Sequence, residues 1–227
     1  MSDWDQLNEQ ITGCQKCQRL VVYREEVARV KRRAYLTEDY WGRPVPGFGD
    51  PHARVIVVGL APGAHGSNRT GRMFTGDASG VFLYRALYKA GFASQPTSEN
   101  RSDSLALKDI FITAVCRCAP PDNKPTPVEA ANCLPYLSAE MALLGKVQGI
   151  VALGRFAQDG ILALYAKMDN PFPPALFGHG AFFPGDARHP WLLSSYHPSR
   201  QNTQTGRLTE AMFDSIWQMV KFQLKAS

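Results

Sequence analysis

No stretch of the sequence approaches the ~20 consecutive apolar residues that a bilayer-spanning helix needs, which excludes a helical membrane protein. No secretory leader can be read in MSDWDQLNEQ, which is polar and acidic, so the expected setting is the cytoplasm. Repeats, low-complexity linkers and composition breaks are also missing, and the expectation is one domain over residues 1–227, with residues 1–50 as an N-terminal segment folded back on it. Cysteine is scarce: five in 227 residues, with a single Cys-x-x-Cys, Cys14 and Cys17. Without a secretory signal these thiols point to metal or redox chemistry rather than a disulfide framework. The second Cys-x-x-Cys of a zinc ribbon is lacking; Cys118 and Cys133 stand far apart instead, and Cys116 is read as a small buried strand residue. A dominant charge is lacking too. The formal net charge is +5 and the basic residues form no tail, which permits a nucleic-acid partner without requiring one.

What is present alternates in period. Four short apolar runs read as strands buried on both sides: 55–58 (VIVV), 110–115 (IFITAV), 149–153 (GIVAL) and 191–196 (WLLSSY). Helical patterns fall at 80–90, 127–144 and 155–167, with a last amphipathic run at 208–224. Ser79 is the expected N-cap of the first. Thr126, Pro127 and Glu129 supply cap, first-turn proline and capping-box acid to the second. Strands alternating with helices predict a mostly parallel sheet, whose ligands bind beyond the carboxyl ends of the strands. Four loops meet that rule, at 59–77, 116–125, 154–156 and 197–207, and the first and last are chemically the richest.

The first loop reads GLAPGAHGSNRTGRMFTGD. Its spacing GSNRTGRM mimics a phosphate-binding loop, but Arg72 and Met73 stand where Lys and Ser/Thr are required, so a nucleoside triphosphatase is set aside. The last loop, HPSRQN, opens on His197 at a strand end. At this level the thiols leave zinc and an iron–sulfur cluster both open.

Together, GLAPGAHGSNRTGRMFTGD, HPSRQN, RCAPPDNKPTP and the four spaced cysteines resemble the uracil-DNA glycosylase superfamily, and within it the family 5, iron–sulfur-containing enzymes. The resemblance runs over roughly residues 10–220 in the right order. It implies a three-layer α/β/α sandwich around a four-stranded, mostly parallel sheet. It implies hydrolysis of the N-glycosidic bond of uracil, and of other deaminated bases, in DNA to leave an abasic site. It also implies a structural [4Fe–4S] cluster on Cys14, Cys17, Cys118 and Cys133. The partner would be DNA carrying deaminated bases or abasic sites, and the protein a monomer. A non-catalytic, metal-stapled DNA-binding module and a small-molecule nucleoside hydrolase are the competing readings.

Two positions depart from the better-known families. Leu60 stands where an acid or amide usually holds the attacking water, and Ala114 where an Asn usually reads the uracil edge. The expected site is therefore assembled from other residues. Phe74 stacks on the extruded base, and the backbone of Gly59, Ala61 and Pro62 lies against it. His197 donates a hydrogen bond to the base carbonyl. Asn123 holds the water, with Asp77 as polar support. Arg200 and Ser199 meet DNA, Gln201 fills the vacated stack, and His65, Asn68 and Arg69 line the approach.

Overall fold

A computed structural model describes residues 1–226. The chain builds α1 (Asp3–Thr12), α2 (Gln18–Val30), β1 (Phe48–Gly49), β2 (Val55–Gly59), α3 (Ser67–Thr70), α4 (Ala78–Ala90) and β3 (Ile110–Ala114). It continues through α5 (Pro127–Leu144), β4 (Gly149–Leu153), α6 (Arg155–Lys167), β5 (Phe182–Phe183), β6 (Trp191–Ser195), α7 (Arg200–Gln204) and α8 (Glu210–Ala226). Three-residue 3₁₀ turns lie at Arg33–Tyr35 and Pro121–Asn123.

The sheet runs in the order β1-β3-β2-β4-β6-β5. Its four central strands are parallel, as the apolar runs predict, and every residue in them is buried. The expected four-stranded sheet is extended to six by two-residue antiparallel edges, Phe48–Gly49 and Phe182–Phe183. Alternate residues serve two cores. Val55, Val57, Ile112, Val151 and Leu193 face α4 and α8, whereas Ile56, Phe111, Ile150 and Leu192 face α5 and α6. α1 packs on α5.

β2 leads into α4 on one face while its neighbour β4 leads into α6 on the other, which opens a crevice between their carboxyl ends. α5 starts on the expected capping box, with Thr126 Oγ1 accepting from the Glu129 N–H and Glu129 accepting from Thr126 N. α4 differs from expectation: it begins at Ala78 and its N-cap is Asp77, not Ser79. An aspartate caps through either of two oxygens, and the extended backbone of Asp77 gives it the geometry to do so. No helix among the described residues is long and apolar enough to cross a membrane.

Candidate active site and cysteine cluster

The glycines after β2 fold the loop onto its own side chains. A Cβ on Gly59 would sit 2.8 Å from Cζ of Phe74, and one on Gly80 would sit 1.8 Å from the Phe74 carbonyl oxygen. A Cβ on Gly66 or Gly63 would fall 2.1 or 2.8 Å from Asp77 Oδ2. Bare backbone here admits the two groups that carry chemistry, the Phe74 ring and the Asp77 carboxylate.

Phe74 adopts a left-handed backbone, φ +51°. For an aromatic residue this is an outlier, costing on the order of 1–3 kcal/mol and held only where the surroundings over-determine it. The surroundings do so. Tyr84 and Thr75 both donate to the Met73 carbonyl, at 2.9 and 3.1 Å. Arg72 forks onto Asp103 at 2.8 and 2.6 Å and reaches Ser98 at 2.9 Å, so the loop before Phe74 is pinned to residues 98–103.

The HPSRQN loop leaves β6 beside Phe74. The His197 and Phe74 rings lie 29° from parallel with centroids 5.8 Å apart. Burial alone pushes the His197 imidazole down to about 4, so at neutral pH it is uncharged and keeps one N–H donor. Asn202 Nδ2 donates to the His197 carbonyl at 2.9 Å and holds the turn. A cavity of about 400 Å³ opens here, lined by Leu60 after β2, Leu153 after β4 and His197 after β6. Ala114 is buried beside Gly59 on the neighbouring strand, so no polar side chain enters from that position.

Asp77 accepts the Gly80 N–H through Oδ1 at 3.0 Å, while Oδ2 faces Gly63 and Gly66. Burial raises its carboxyl above the ordinary value, against the lowering effect of the α4 backbone N–H groups. Asn123 lies on an exposed turn with φ +55°, and its side chain makes no hydrogen bond among the described residues. The structure brings Phe74, His197 and the glycine loop together, and it sets Asn123 on the surface after β3.

Three residues placed on the DNA side by sequence have other work. Asn68 is wholly buried and donates through Nδ2 to the carbonyls of Arg24 and Ala64, at 3.2 and 3.4 Å. Arg69 is 8% exposed, pairs with Glu38, donates to the carbonyls of His65 and Gly76, and lies over the Tyr35 ring. Both polar groups are turned inward because the short helix α3 carries them against α2 and the 35–38 turn. Ser199 caps α7, its Oγ accepting from the Asn202 N–H at 3.3 Å. Arg200 and Gln201 are exposed on that helix, and His65 shares a 2.9 Å hydrogen bond with the Tyr40 hydroxyl.

On the other flank the cysteines gather. Cys17 lies within electrostatic reach of Cys133 and Cys14, and Cys118 of the same two. Burial raises the thiols of Cys17 and Cys118, the latter to about 12. Cys116 and Cys133 interact closely, which lowers the Cys133 thiol and raises that of Cys116. Among the described residues no three His, Cys, Asp or Glu side chains close on one metal ion. Arg24, only 3% exposed, points to Cys118: Nη1 lies 3.0 Å from Cys118 Sγ and 3.2 Å from the Cys14 carbonyl, and its Nε is buried without a partner. Asn132 Nδ2 adds a donor 3.4 Å from Cys17 Sγ. Thiols beside buried N–H donors, one of them without an acceptor, suit an anionic, sulfide-rich group.

Sequence reading did not find Arg24, or the buried pair of Arg117 and Glu140, or the cavity rim at Arg155, Phe177, Tyr196 and Arg207. Arg24 sits in an amphipathic run, LVVYREEVARV, where an arginine reads as part of the solvent face, so nothing in the pattern marks it. A charged residue flanked by two cysteines at a strand end is the one clue to Arg117.

Comparison with known proteins gives the family. The family model described as "Uracil DNA glycosylase superfamily" matches residues 46–221. A type-5 uracil-DNA glycosylase of Thermus thermophilus is 54% identical over 204 residues, 89% of this chain and 90% of that protein. One from Mycobacterium bovis is 51% identical over 95% of this chain and 80% of its own length. One from Pyrobaculum aerophilum is 43% identical over 91% and 87%.

Proposed function

This chain belongs to the uracil-DNA glycosylase superfamily and excises uracil from DNA; from that premise we propose how its own residues do so. The observation that carries the reading is the facing pair of Phe74 and His197 at the carboxyl ends of β2 and β6, over a loop whose glycines clear the space between backbone and rings. The extruded base stacks on Phe74. His197, uncharged, donates its N–H to the base carbonyl as negative charge develops on the leaving base. Asn123, on the exposed turn beyond β3, holds the water, with Asp77, whose Oδ2 faces the glycine loop, as polar support. The buried carboxylate also steadies the cationic sugar. Leu60 and Ala114 put no hydrogen-bonding side chain on the base edge, which supports acceptance of other deaminated bases.

Cys14, Cys17, Cys118 and Cys133 would hold a [4Fe–4S] cluster, which supplies a structural tie between the N-terminal segment and α5. The supports are the electrostatic reach of these thiols on one another and the orphan donor of Arg24 beside Cys118. Iron and sulfide analysis of natively prepared protein should give about four of each per chain, unchanged in Cys116→Ser. Stoichiometric zinc without iron overturns this.

The deciding assay is incubation with duplex carrying one U·G pair, then alkali. A single cleavage at the uracil supports the reading. Tight binding without cleavage returns the protein to a binding module, and release of base from free deoxyuridine makes it a nucleoside hydrolase.

A further inference from the structure

Four arginines are buried among the described residues, and three have a carboxylate to match. Arg117 forks onto Glu140, Arg72 forks onto Asp103, and Arg69 pairs with Glu38. Arg24 is the exception. Its carboxylate contact among the described residues is Glu25 at 3.5 Å, and that side chain is 57% exposed. A guanidinium that gives up its water needs an anion in return. What Arg24 meets through Nη1 is Cys118 Sγ at 3.0 Å and the Cys14 carbonyl at 3.2 Å, while its Nε stays buried without a partner.

The same residue is also an acceptor. Its carbonyl, inside helix α2, receives Asn68 Nδ2 at 3.2 Å, and Asn68 is wholly buried. Asn68 belongs to α3, which packs on α2 and leads through Gly71, Arg72 and Met73 to the left-handed Phe74. A neutral thiol accepts weakly, whereas a cysteine sulfur bound to iron keeps its negative charge and accepts strongly. The hold on Arg24 is therefore tightest when the cysteines are loaded.

We infer that Arg24 is a positioning residue that couples the cysteine centre to the Phe74 loop. Its guanidinium meets the charge of the Cys118 sulfur, and the side chain held there fixes the carbonyl to which Asn68 donates. The inference rests on the cluster reading above and goes beyond it, because it carries the effect of the cluster from the N-terminal segment to the residue on which the base stacks.

The test uses full-length protein loaded with the cluster, with variants compared at equal iron content. A cation beside a cysteine sulfur favours the more negative, reduced form and so raises the reduction potential. Arg24→Met should lower the potential read by spectroelectrochemical titration and speed the loss of iron to a chelator several-fold. Arg24→Lys, which keeps the charge, should fall between wild type and Arg24→Met in both readouts. Asn68→Ala should leave the potential unchanged. Arg24→Met and Asn68→Ala should each slow single-turnover excision several-fold, and the double variant should be no slower than the slower single one, because both cut the same link. A wild-type potential in Arg24→Met overturns the inference. So do losses that multiply in the double variant, which would make the two residues independent. Natively prepared protein without iron overturns it as well, and if that sample still cuts U·G DNA, the glycosylase reading stands without it.

Discussion

A single imidazole shows how burial sets chemistry. The His197 imidazole is lowered to about 4 from 6.5 by burial, so the folded state resists the proton that the unfolded chain accepts. The stability it lends is present above pH 6.5 and drains away as the pH falls from there towards 4. Urea unfolding of the wild type should therefore weaken over that interval more steeply than unfolding of His197→Asn, and equal pH dependence would show that the imidazole titrates normally. Excision should show no break at 6.5 that His197→Asn removes, because the donor is already neutral. Phe74 makes a second residue-scale claim. Aromatic stacking on a base contributes roughly 1–3 kcal/mol, so Phe74→Ala should slow excision by about 5- to 150-fold. Phe74→Tyr, which keeps the ring, should retain most of it. The two water candidates separate by substitution: Asp77→Asn and Asn123→Ala should each slow single-turnover cleavage, on the scale of 10²–10⁴-fold that positioned acid–base groups supply. Binding to abasic product should survive in both. Full activity in Asn123→Ala would reduce that residue to its turn and give the water to Asp77 alone.

At the scale of elements, α5 does more than cover the sheet. Glu129, Cys133, Leu137 and Glu140 recur on one buried side of it. Glu140 pairs with Arg117 at 2.7 Å, both side chains 1% exposed, and also accepts from Thr113 and from the Gly47 N–H. The pair thereby ties β3, α5 and the segment before β1. Removing one partner of such a pair strands the other charge, so Glu140→Ala should cost about 3–5 kcal/mol in denaturant midpoint analysis. A loss under 1 kcal/mol would mean that water reaches Arg117. This element also marks the limit of sequence reading. The 127–144 helix and its cap were legible because Thr126, Pro127 and Glu129 act locally, and the four central strands because burial on both faces leaves unbroken apolar runs. Arg117 and Glu140 find each other only through the fold. The two edge strands, of two residues each, are too short to carry a period, and Asn68 and Arg69 resembled surface residues until α3 turned them inward. At the candidate site, Phe74 and His197 were legible because each stands in a loop that follows a strand. The cavity rim at Arg155 and Arg207 was not, because its members meet only when α6, α7 and the segment before β5 converge.

The whole molecule places its crevice where β2 and β4 send their helices to opposite faces, and it stations the cysteines on the α5 side of that crevice. The N-terminal segment reaches the body through α1 on α5 and through Arg19, which forks onto Glu129 at 2.8 and 2.7 Å. With the proposed cluster removed by chelation, α1 and α2 are left with these and other non-covalent contacts, such as Trp4 on Phe111 and Asn68 on the Arg24 carbonyl. Limited proteolysis of apo protein should cut first within residues 1–50 and leave the sheet intact, whereas loaded protein should resist at the same protease dose. Equal resistance would show that the thiols add nothing to the fold.

One arginine joins the two halves of this design. Arg24 reaches Cys118 and Cys14 with its side chain, and its own carbonyl receives Asn68 from the loop that carries Phe74. If the cysteines hold the proposed cluster, a cell short of iron would make this chain without that staple and with the loop less firmly anchored. Uracil left opposite guanine would then persist to the next round of replication and be copied as thymine. Nutrition would be written into the genome: cultures held at low iron should accumulate C-to-T transitions faster than replete ones, and a strain lacking this protein should show no such dependence.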